Sequence, residues 1–310
     1  MSKIICIAGP TASGKTALAV ELAKLYDGEV VSCDSMQIYR RMDIGTAKPT
    51  IEEMQGIPHH MLDVCEPDED FSVSRYCELA TPIVDGILAR GKTAIIAGGT
   101  GLYMDSLIKG NDFAPFPATG HRQRLEARLE AEGLDVLLKE LESIDPPSVT
   151  RCQNNPRRII RSLEVFYETG ETITAHNLRT QAIPPRYNPI RLALEDEDRQ
   201  DLYDRIDRRV GVMLEQGLVE EIQNLLASGI PADCTAMQAI GYKEFVDALA
   251  GRSTIDAAAD LVRQSSRRYA KRQLTWFRRD PNTHWVRRAK GDALPEIVGK
   301  ARLFLRDFDK

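Results

Sequence analysis

The residues whose types and spacing most directly indicate chemistry lie near the start of the chain. Residues 9–16 read GPTASGKT and match the pattern G-x-x-x-x-G-K-[ST], between an apolar run and a helical pattern. Glycines let the backbone turn its N–H groups towards an anion, and the helix start adds partial positive charge. We expect Lys15 to contact phosphate oxygens and the Thr16 hydroxyl to bind Mg²⁺. The motif predicts a polyphosphate or diphosphate ligand, of which ATP is one candidate that the loop alone does not select. The predicted phosphate-binding residues are Gly9, Pro10, Thr11, Ala12, Ser13, Gly14, Lys15 and Thr16.

Two further polar segments follow predicted strands. Asp34 lies in SCDSMQ, residues 32–37, where it could bind Mg²⁺, act as a general base or cap the following turn. Thr100 lies in the segment GGTG, residues 98–101, which could equally be a plain strand-to-helix turn. Because the carboxyl ends of parallel strands meet at one sheet edge, the three segments together predict a binding site there.

The elements that must position these segments alternate between strand and helix. The predicted strands are Lys3–Ala8, Glu29–Cys33, Thr93–Ala97 and Ile190–Leu194. The helical patterns of this region are Thr16–Tyr26 and Val73–Arg90. This order predicts an α/β fold with a P-loop NTPase-like parallel sheet core.

The pattern becomes wholly helical after the glycine- and proline-rich residues 110–120. Helices are predicted at His121–Glu132, Leu134–Glu142 and Arg157–Thr169, the last with an Asn155 N-cap and a Gly170 stop. Residues 182–189 read as a linker returning to the core. Further helices are predicted at Arg199–Gln216, Leu218–Ser228, Met237–Ala250 and Ile255–Arg278. We therefore divide the chain into a core, 1–114, an α-helical insertion domain, 115–185, and the remainder of the core with a helical C-terminal part, 186–310.

Composition limits the class of protein. With 310 residues and a net charge of −5, the chain is not a uniformly basic nucleic-acid coat, although a local basic face remains possible. No apolar stretch is long enough to span a membrane, and the N-terminus lacks a signal-peptide pattern. The six cysteines form no CxxC pair and no zinc-like spacing, which favours reduced thiols and a cytoplasmic location.

Several motifs together resemble those of the tRNA dimethylallyltransferases, also called tRNA isopentenyltransferases. They span nearly the whole chain and read GPTASGKT (9–16), SCDSMQIY (32–39), DIGTAKP (43–49), PHHMLD (58–63), GGTGLY (98–103), NPRRIIRSLEV (155–165), QAIGYKE (238–244) and RYAKRQLTWFR (268–278). The resemblance implies Mg²⁺-dependent transfer of a dimethylallyl group from dimethylallyl diphosphate to N6 of the tRNA adenosine at position 37, beside the anticodon. It also implies the bacterial form, because the zinc finger of the eukaryotic relatives is absent.

The resemblance also implies roles for single residues. Asp34 would be the base, with Ser35 and Gln37 on the adenine, and Thr100 would hold a diphosphate oxygen. A carboxylate is a weak base, but the amine becomes more acidic as it is alkylated, so such a base suffices. Lys15, Thr16, the loop amides and Mg²⁺ would neutralise the departing diphosphate.

Other motif residues leave alternatives open. We expect Arg209, and next Arg205, to point at the diphosphate; the alternative is a salt-bridged helix face with nearby aspartates. For His59 and His60, a hydrogen-bonded structural role is favoured over catalysis.

A local excess of basic residues marks a possible RNA surface. Seven lie between Leu261 and Arg279 with no acidic residue, namely Arg263, Arg267, Arg268, Lys271, Arg272, Arg278 and Arg279. Tyr269, Trp276 and Phe277 are interleaved and could stack on bases, although a core position is favoured for the aromatics. The insertion and the C-terminal helices would then flank the tRNA anticodon stem-loop. The predicted tRNA-contact residues are Asp34, Ser35, Met36, Gln37, Thr100, Arg122, Arg157, Arg158, Ile159, Ile160, Arg161, Gly241, Tyr242, Lys243, Lys271 and Arg272.

Three other functions fit parts of the sequence. A small-molecule kinase and an adenylate isopentenyltransferase would both use the phosphate loop but have no use for the basic helices. A non-catalytic NTPase switch would require a guanine motif such as NKxD, which is absent. We expect a monomer.

Overall fold

The computed structural model describes residues 3–110 and 119–306. The chain divides into two compact units, one of Met1–Ile108 with Arg186–Lys310 and one of Lys109–Pro185. Residues 111–118, where we predicted the boundary between core and insertion, lie outside the described residues.

The first unit is built on a parallel sheet of six strands. They are β1 (Ile4–Ala8), β2 (Gly28–Ser32), β3 (His59–His60), β4 (Thr93–Ala97), β5 (Ile190–Asp196) and β6 (His284–Arg288). Their spatial order is β3-β2-β4-β1-β5-β6, and every pairing is parallel. The predicted α/β fold with a P-loop-type parallel core is confirmed, and the two edge strands β3 and β6 were not predicted.

The helices account for most of the remaining chain. They are α1 (Lys15–Leu25), α2 (Ile51–Met54), α3 (Val73–Ala89), α4 (Gly101–Lys109), α5 (His121–Glu132), α6 (Leu134–Ile144), α7 (Pro146–Cys152), α8 (Pro156–Thr169), α9 (Ile173–Ala182), α10 (Arg199–Glu215), α11 (Leu218–Ala227), α12 (Lys243–Leu249), α13 (Ile255–Phe277) and α14 (Leu294–Arg302). Among the helices so described, none is long and apolar enough to cross a membrane.

One predicted helix was wrong in its first half. Met237–Ala250 was expected as a single helix, but residues 236–238 form a short 3-10 turn and α12 starts only at Lys243. Gly241 lies between them with φ of 99°, a left-handed conformation that interrupts a right-handed helix. This break brings Gly241 and Lys243 to the wall of the cavity described below.

The sheet positions its loops by burying its centre completely. All five residues of β1 are buried, and Ile5 and Ile7 pack with Leu18 and Leu22 of α1. A second apolar cluster joins residues 38–42, which follow β2, to α10, α11, α12 and α13. The C-terminal helices are therefore fixed against the same sheet edge that carries the polar loops.

The second unit is a helical bundle with its own core. Helix α8 begins at Pro156 after Asn155, whose side chain accepts a hydrogen bond from the Arg158 N–H, and it ends at Gly170. Its apolar face packs against α5, α6 and α7. The predicted start and stop signals of this helix are confirmed.

Candidate active site

A cavity of about 570 Å³ lies in the first unit, at the carboxyl edge of the sheet. Four groups of residues line it: the phosphate loop, the end of β2, the segments 45–47 and 238–243, and side chains from α10 and α13. In the sheet, β1 lies beside β4 and β4 beside β2, so the loops that follow these three strands meet at one place. The convergence expected from the sequence is what the structure shows.

The phosphate loop has the backbone of an anion cradle. Gly9, Ala12 and Gly14 have positive φ values of 149°, 60° and 90°, which let the chain turn tightly and direct its N–H groups inward. The Lys15 Nζ donates to the Pro10 carbonyl at 2.7 Å and so lies folded over the loop. Ser13 is only 2% exposed, and its hydroxyl has no hydrogen-bond partner. A buried polar atom without a partner is costly, and an anion in the loop would supply one.

Two partly buried cations lie at this cradle. Burial lowers the pKa of Lys15 from 10.5 to about 8; the Asp34 carboxylate opposes that shift and the Arg209 guanidinium adds to it. Burial likewise lowers the pKa of Arg209, against the opposing charges of Glu53 and Asp34. A bound anion would stabilise both positive charges, so the electrostatics of this wall favour a di- or polyphosphate.

Asp34 lies on the cavity wall, just after the end of β2. One of its carboxylate oxygens, Oδ1, accepts the Met36 backbone N–H at 2.9 Å, so the turn-capping alternative is one role it has. The carboxylate also lines the cavity, together with Ser35 and Met36, which leaves it able to act on a ligand. Asp34 can therefore cap the turn and act on a ligand at the same time.

Thr100 is hydrogen-bonded to the segment that carries Asp34 and does not itself line the cavity. Its hydroxyl oxygen accepts the Ser35 N–H at 3.0 Å and lies 3.3 Å from the Ser35 hydroxyl. Tyr269 of α13 also hydrogen-bonds Thr100, and burial raises the pKa of Tyr269 to about 12. The close approach of this loop requires glycine, because a Cβ at Gly98 would lie 1.9 Å from the Cys33 carbonyl oxygen.

Gln37 uses its side chain to hold a neighbouring loop. Its amide nitrogen donates to the Ala47 carbonyl at 3.1 Å and lies 3.4 Å from that of Thr46. Its amide oxygen accepts the Ser32 hydroxyl at 3.0 Å. The side chain lines the cavity, but these bonds already occupy both ends of its amide.

Arg205 and Arg209 of α10 have different surroundings. Arg209 lines the cavity, with its guanidinium 3.3 Å from the Thr11 hydroxyl. Arg205 instead donates to the Ala12 carbonyl at 3.0 Å and pairs with Asp196, whose side chain is 3% exposed. Arg205 therefore supports the back of the phosphate loop, and of the two only Arg209 reaches the cavity.

Gln273 of α13 connects two of the loops and was missed in the sequence. Its side-chain oxygen accepts the Thr11 N–H and its nitrogen donates to the Gly99 carbonyl, both at 3.0 Å. A Cβ at Gly99 would lie 2.2 Å from the Gln273 nitrogen. The motif RYAKRQLTWFR contains Gln273 and could have identified it, but we assigned possible roles only to the basic and aromatic residues of that motif.

The basic segment between Leu261 and Arg279 is neutralised in part. Arg263 pairs with Asp260, Arg267 with Asp207 and Arg278 with Glu195. Within residues 3–110 and 119–306, the exposed members without an acidic partner are Arg268, Lys271, Arg272 and Arg279.

The aromatic residues of this segment differ in exposure. Arg272 lines the cavity and lies over the Tyr269 ring at 5.4 Å. Phe277 is buried, and the Trp276 indole N–H donates to Asp105 at 2.8 Å. For Phe277 the expected core position is confirmed, whereas Trp276 is only partly buried and Tyr269 lines the cavity.

In the helical unit the predicted contacts fall into three classes. Arg122 pairs with Glu126 and Glu164, and Arg161 pairs with Glu164. Arg157 and Arg158 are exposed, although an Arg158 nitrogen donates to the Arg151 carbonyl. Ile159 and Ile160 are buried in the core of this unit, so an RNA contact here would have to use other atoms of the helix.

The motif histidines have the structural role that we expected. The Nε2 of His60 lies 2.8 Å from the buried Glu29 carboxylate, which also pairs with Arg90. His59 contacts the Ile57 carbonyl through Nδ1 at 2.9 Å, and burial lowers its pKa. Neither residue lines the cavity.

The residues present could hold a magnesium ion only together with a ligand. Within residues 3–110 and 119–306 there is no cluster of three His, Cys, Asp or Glu side chains suited to a metal. The Thr16 hydroxyl and the Asp34 carboxylate are oxygen donors on the cavity wall beside the cradle. Mg²⁺ commonly takes one or two protein oxygens and completes its shell with substrate phosphates and water, which this donor set fits.

Comparison with known proteins shows which family the chain belongs to. The model of the IPP transferase family matches residues 37–280. The chain belongs to the IPP transferase family. The tRNA dimethylallyltransferase of Acetivibrio thermocellus is 44% identical over 310 residues, 99% of each chain. That of Halalkalibacterium halodurans is 47% identical over 285 residues, 91% of this chain and 90% of the relative.

Solved structures of the IPP transferase family have the same fold. The full-length tRNA isopentenylpyrophosphate transferase from Bacillus halodurans aligns with a TM-score of 0.75 at 42% identity, covering 100% of this chain and 97% of that one. A eukaryotic dimethylallyltransferase acting on tRNA aligns with a TM-score of 0.84 at 28% identity, covering 99% and 80%. The resemblance in the sequence motifs is confirmed.

Proposed function

We propose that this IPP transferase moves a dimethylallyl group from dimethylallyl diphosphate to N6 of the tRNA adenosine at position 37, beside the anticodon. The bond between the allylic carbon and the diphosphate oxygen breaks, and a bond from that carbon to N6 forms. One N6 proton is lost, and diphosphate leaves. The observation that carries the proposal is that Lys15 and Asp34 line one cavity, a phosphate cradle facing a carboxylate.

The cradle side of the cavity suits the departing diphosphate. The loop amides, Lys15 and Arg209 would bind its oxygens, and the negative charge that develops on departure would strengthen these contacts. The unpartnered Ser13 hydroxyl provides one more donor in the cradle. Mg²⁺ held by Thr16 and by phosphate oxygens would add positive charge to the leaving group.

The opposite side suits the acceptor. Asp34 would take the N6 proton as the new bond forms, since an exocyclic amine loses its proton readily only once it is being alkylated. Ser35 and Thr100 are mutually hydrogen-bonded and would fix the position of the Asp34 backbone. Alignment of the two reactants is the third requirement, and the fixed loops would provide it.

Exposed positive side chains suit the rest of the tRNA. Lys271 and Arg272 are exposed on α13, and Arg157 is exposed on α8. Such charges bind phosphates without reading sequence, while the unpaired loop bases remain free to enter the cavity. We further propose that the helical insertion binds RNA and that the protein acts as a monomer in the cytoplasm, where its free thiols would stay reduced.

An acceptor assay with the purified protein tests this function. Labelled dimethylallyl diphosphate is supplied with unmodified tRNA or with AMP, and we expect label in tRNA alone. Equal labelling of AMP would favour an adenylate isopentenyltransferase. Transfer of the γ-phosphoryl group of ATP to a small molecule would favour a kinase.

A further inference from the structure

A loop on the cavity wall is held from outside by a single carboxylate. Glu221 of α11 accepts the backbone N–H groups of Asp43 and Ile44 on one oxygen, both at 2.8 Å. Its other oxygen accepts the Gly45 N–H at 3.2 Å. Glu221 does not itself line the cavity, whereas Gly45 does. The carboxylate thus fixes the cavity wall from behind.

The same carboxylate holds a second segment. The Tyr242 hydroxyl donates to Glu221 at 2.7 Å, and Tyr242 is 0% exposed. The Tyr242 ring lies against Gly45 so closely that a Cβ there would be 2.4 Å from a ring carbon. Burial raises the pKa of Tyr242 well above its ordinary value, so its hydroxyl remains a donor at any working pH. Tyr242, which we predicted as a tRNA contact, therefore acts inside the protein.

Both segments form cavity wall on the side of Asp34. Thr46 and Ala47 line the cavity next to Gly45, and they are bonded through Gln37 to the end of β2. Gly241, beside Tyr242, lines it as well. The loop is consequently fixed at two points, one attached to the strand end that carries Asp34 and the other to α11.

We propose that Glu221 is a positioning residue that sets the shape of the acceptor side of the cavity. The proposal deepens the proposed function and depends on it, because the acceptor is the tRNA adenosine. A carboxylate suits this position, since it only accepts hydrogen bonds and here meets four donors. Its loss would free the loop at residues 43–45 while leaving the phosphate cradle intact.

Replacing Glu221 by glutamine tests the proposal, because an amide nitrogen would face one of the donors. In hydrogen exchange, the peptide containing residues 43–45 should exchange faster in Glu221→Gln than in the wild type. In steady-state kinetics, KM for tRNA should rise about tenfold, the equivalent of about 1.4 kcal/mol or one lost charge-assisted bond. Both kcat and KM for dimethylallyl diphosphate should stay within about twofold of the wild type.

Glu220→Gln is the matched control, because it removes the same charge from the neighbouring exposed position of α11. Tyr242→Phe is a second variant that keeps the ring against Gly45 and removes one bond; it should raise KM for tRNA by a smaller factor. The proposal is overturned if Glu221→Gln matches Glu220→Gln in exchange and kinetics. It is equally overturned if KM rises alike for both substrates, or if Glu221→Gln does not fold and Tyr242→Phe leaves KM for tRNA unchanged. A wild-type protein that labels no tRNA would instead reject the proposed function itself.

Discussion

The Gln273 side-chain oxygen accepts the Thr11 backbone N–H at 3.0 Å, which joins a C-terminal helix to the phosphate loop across 262 residues of chain. The nitrogen of the same amide donates to Gly99, in the loop next to Thr100. This one buried side chain therefore fixes the distance between the phosphate loop and the loop of residues 98–101, whose Thr100 hydroxyl accepts the Ser35 N–H.

Replacing Gln273 by leucine should impair both stability and turnover. Two buried backbone groups would lose their partners, at a cost of about 1–3 kcal/mol each in the free energy of unfolding. Turnover should fall because the two loops are no longer held at a fixed distance from each other. Chemical denaturation and single-turnover kinetics measure these effects. Gln264→Leu, on an exposed position of the same helix, is the control, and equal effects of the two substitutions would contradict the assigned bridge.

Asp34→Asn should separate chemistry from binding. Asparagine keeps the oxygen that accepts the Met36 N–H but cannot take a proton, so the rate of transfer should fall about 10²- to 10⁴-fold. Affinity for tRNA should be unchanged. Single-turnover transfer and filter binding measure the two quantities. A parallel loss of affinity and rate would mean that Asp34 acts in binding rather than as the base.

Arg205 and Arg209 of α10 should respond differently to replacement by glutamine. Arg209→Gln should weaken binding of inorganic diphosphate by about 10- to 100-fold, as expected for a lost bond to a charged group, with little change in stability. Arg205→Gln leaves the buried Asp196 without its ion pair and should lower the free energy of unfolding by about 3 kcal/mol. Calorimetric titration and thermal unfolding distinguish them. The reverse pattern would show that Arg205 is the diphosphate ligand.

Binding of diphosphate should take up a proton at Lys15 near pH 8. In the free protein the pKa of Lys15 is lowered to about 8, so part of its positive charge is lost as pH rises through that value. A bound anion favours the charged form and raises the pKa, which draws a proton from solvent. Titration in two buffers of different ionisation enthalpy measures the uptake. Lys15→Arg keeps a permanent positive charge, so any proton uptake measured with this variant comes from diphosphate itself and can be subtracted. Equal uptake by the two proteins would contradict the assignment to Lys15.

Charge reversal on α13 should alter the salt dependence of tRNA binding. Lys271→Glu and Arg272→Glu should each weaken binding and reduce the slope of log K against log salt by about 1, as for one lost phosphate contact. Arg263→Glu is the control, because Arg263 is already paired with Asp260. An unchanged slope in both test variants would show that this part of α13 faces away from the tRNA.

The sequence predicted the elements whose signals are local. The phosphate loop, the strands β1, β2, β4 and β5 and the caps of α8 depend on short patterns of glycine, apolar residues and cap residues. The strands β3 and β6 escaped prediction because β3 has two residues and β6, HWVRR, is mostly polar. The break at Gly241 escaped because a lone glycine is tolerated within a helical pattern.

Contacts between distant parts of the chain could not be predicted in the same way. Arg205 and Arg209 lie one helical turn apart with similar neighbours, and only the packed structure shows which reaches the cavity. The roles of Gln273 and Glu221 depend on backbone groups far away in sequence. The motif resemblance included the segment of Gln273 but not that of Glu221, and the hydrogen bonds that give each side chain its role come from packing.

Mapping the labelled product tests the central claim most directly. Unmodified tRNA is incubated with the wild-type protein, Mg²⁺ and labelled dimethylallyl diphosphate, digested with a ribonuclease and examined by mass spectrometry, while diphosphate release is measured in parallel. We expect N6-dimethylallyladenosine in the anticodon-loop fragment and one diphosphate released for each label. Both signals should be lost in the double variant Lys15→Met, Asp34→Asn. Label at full yield with that double variant would contradict the central claim.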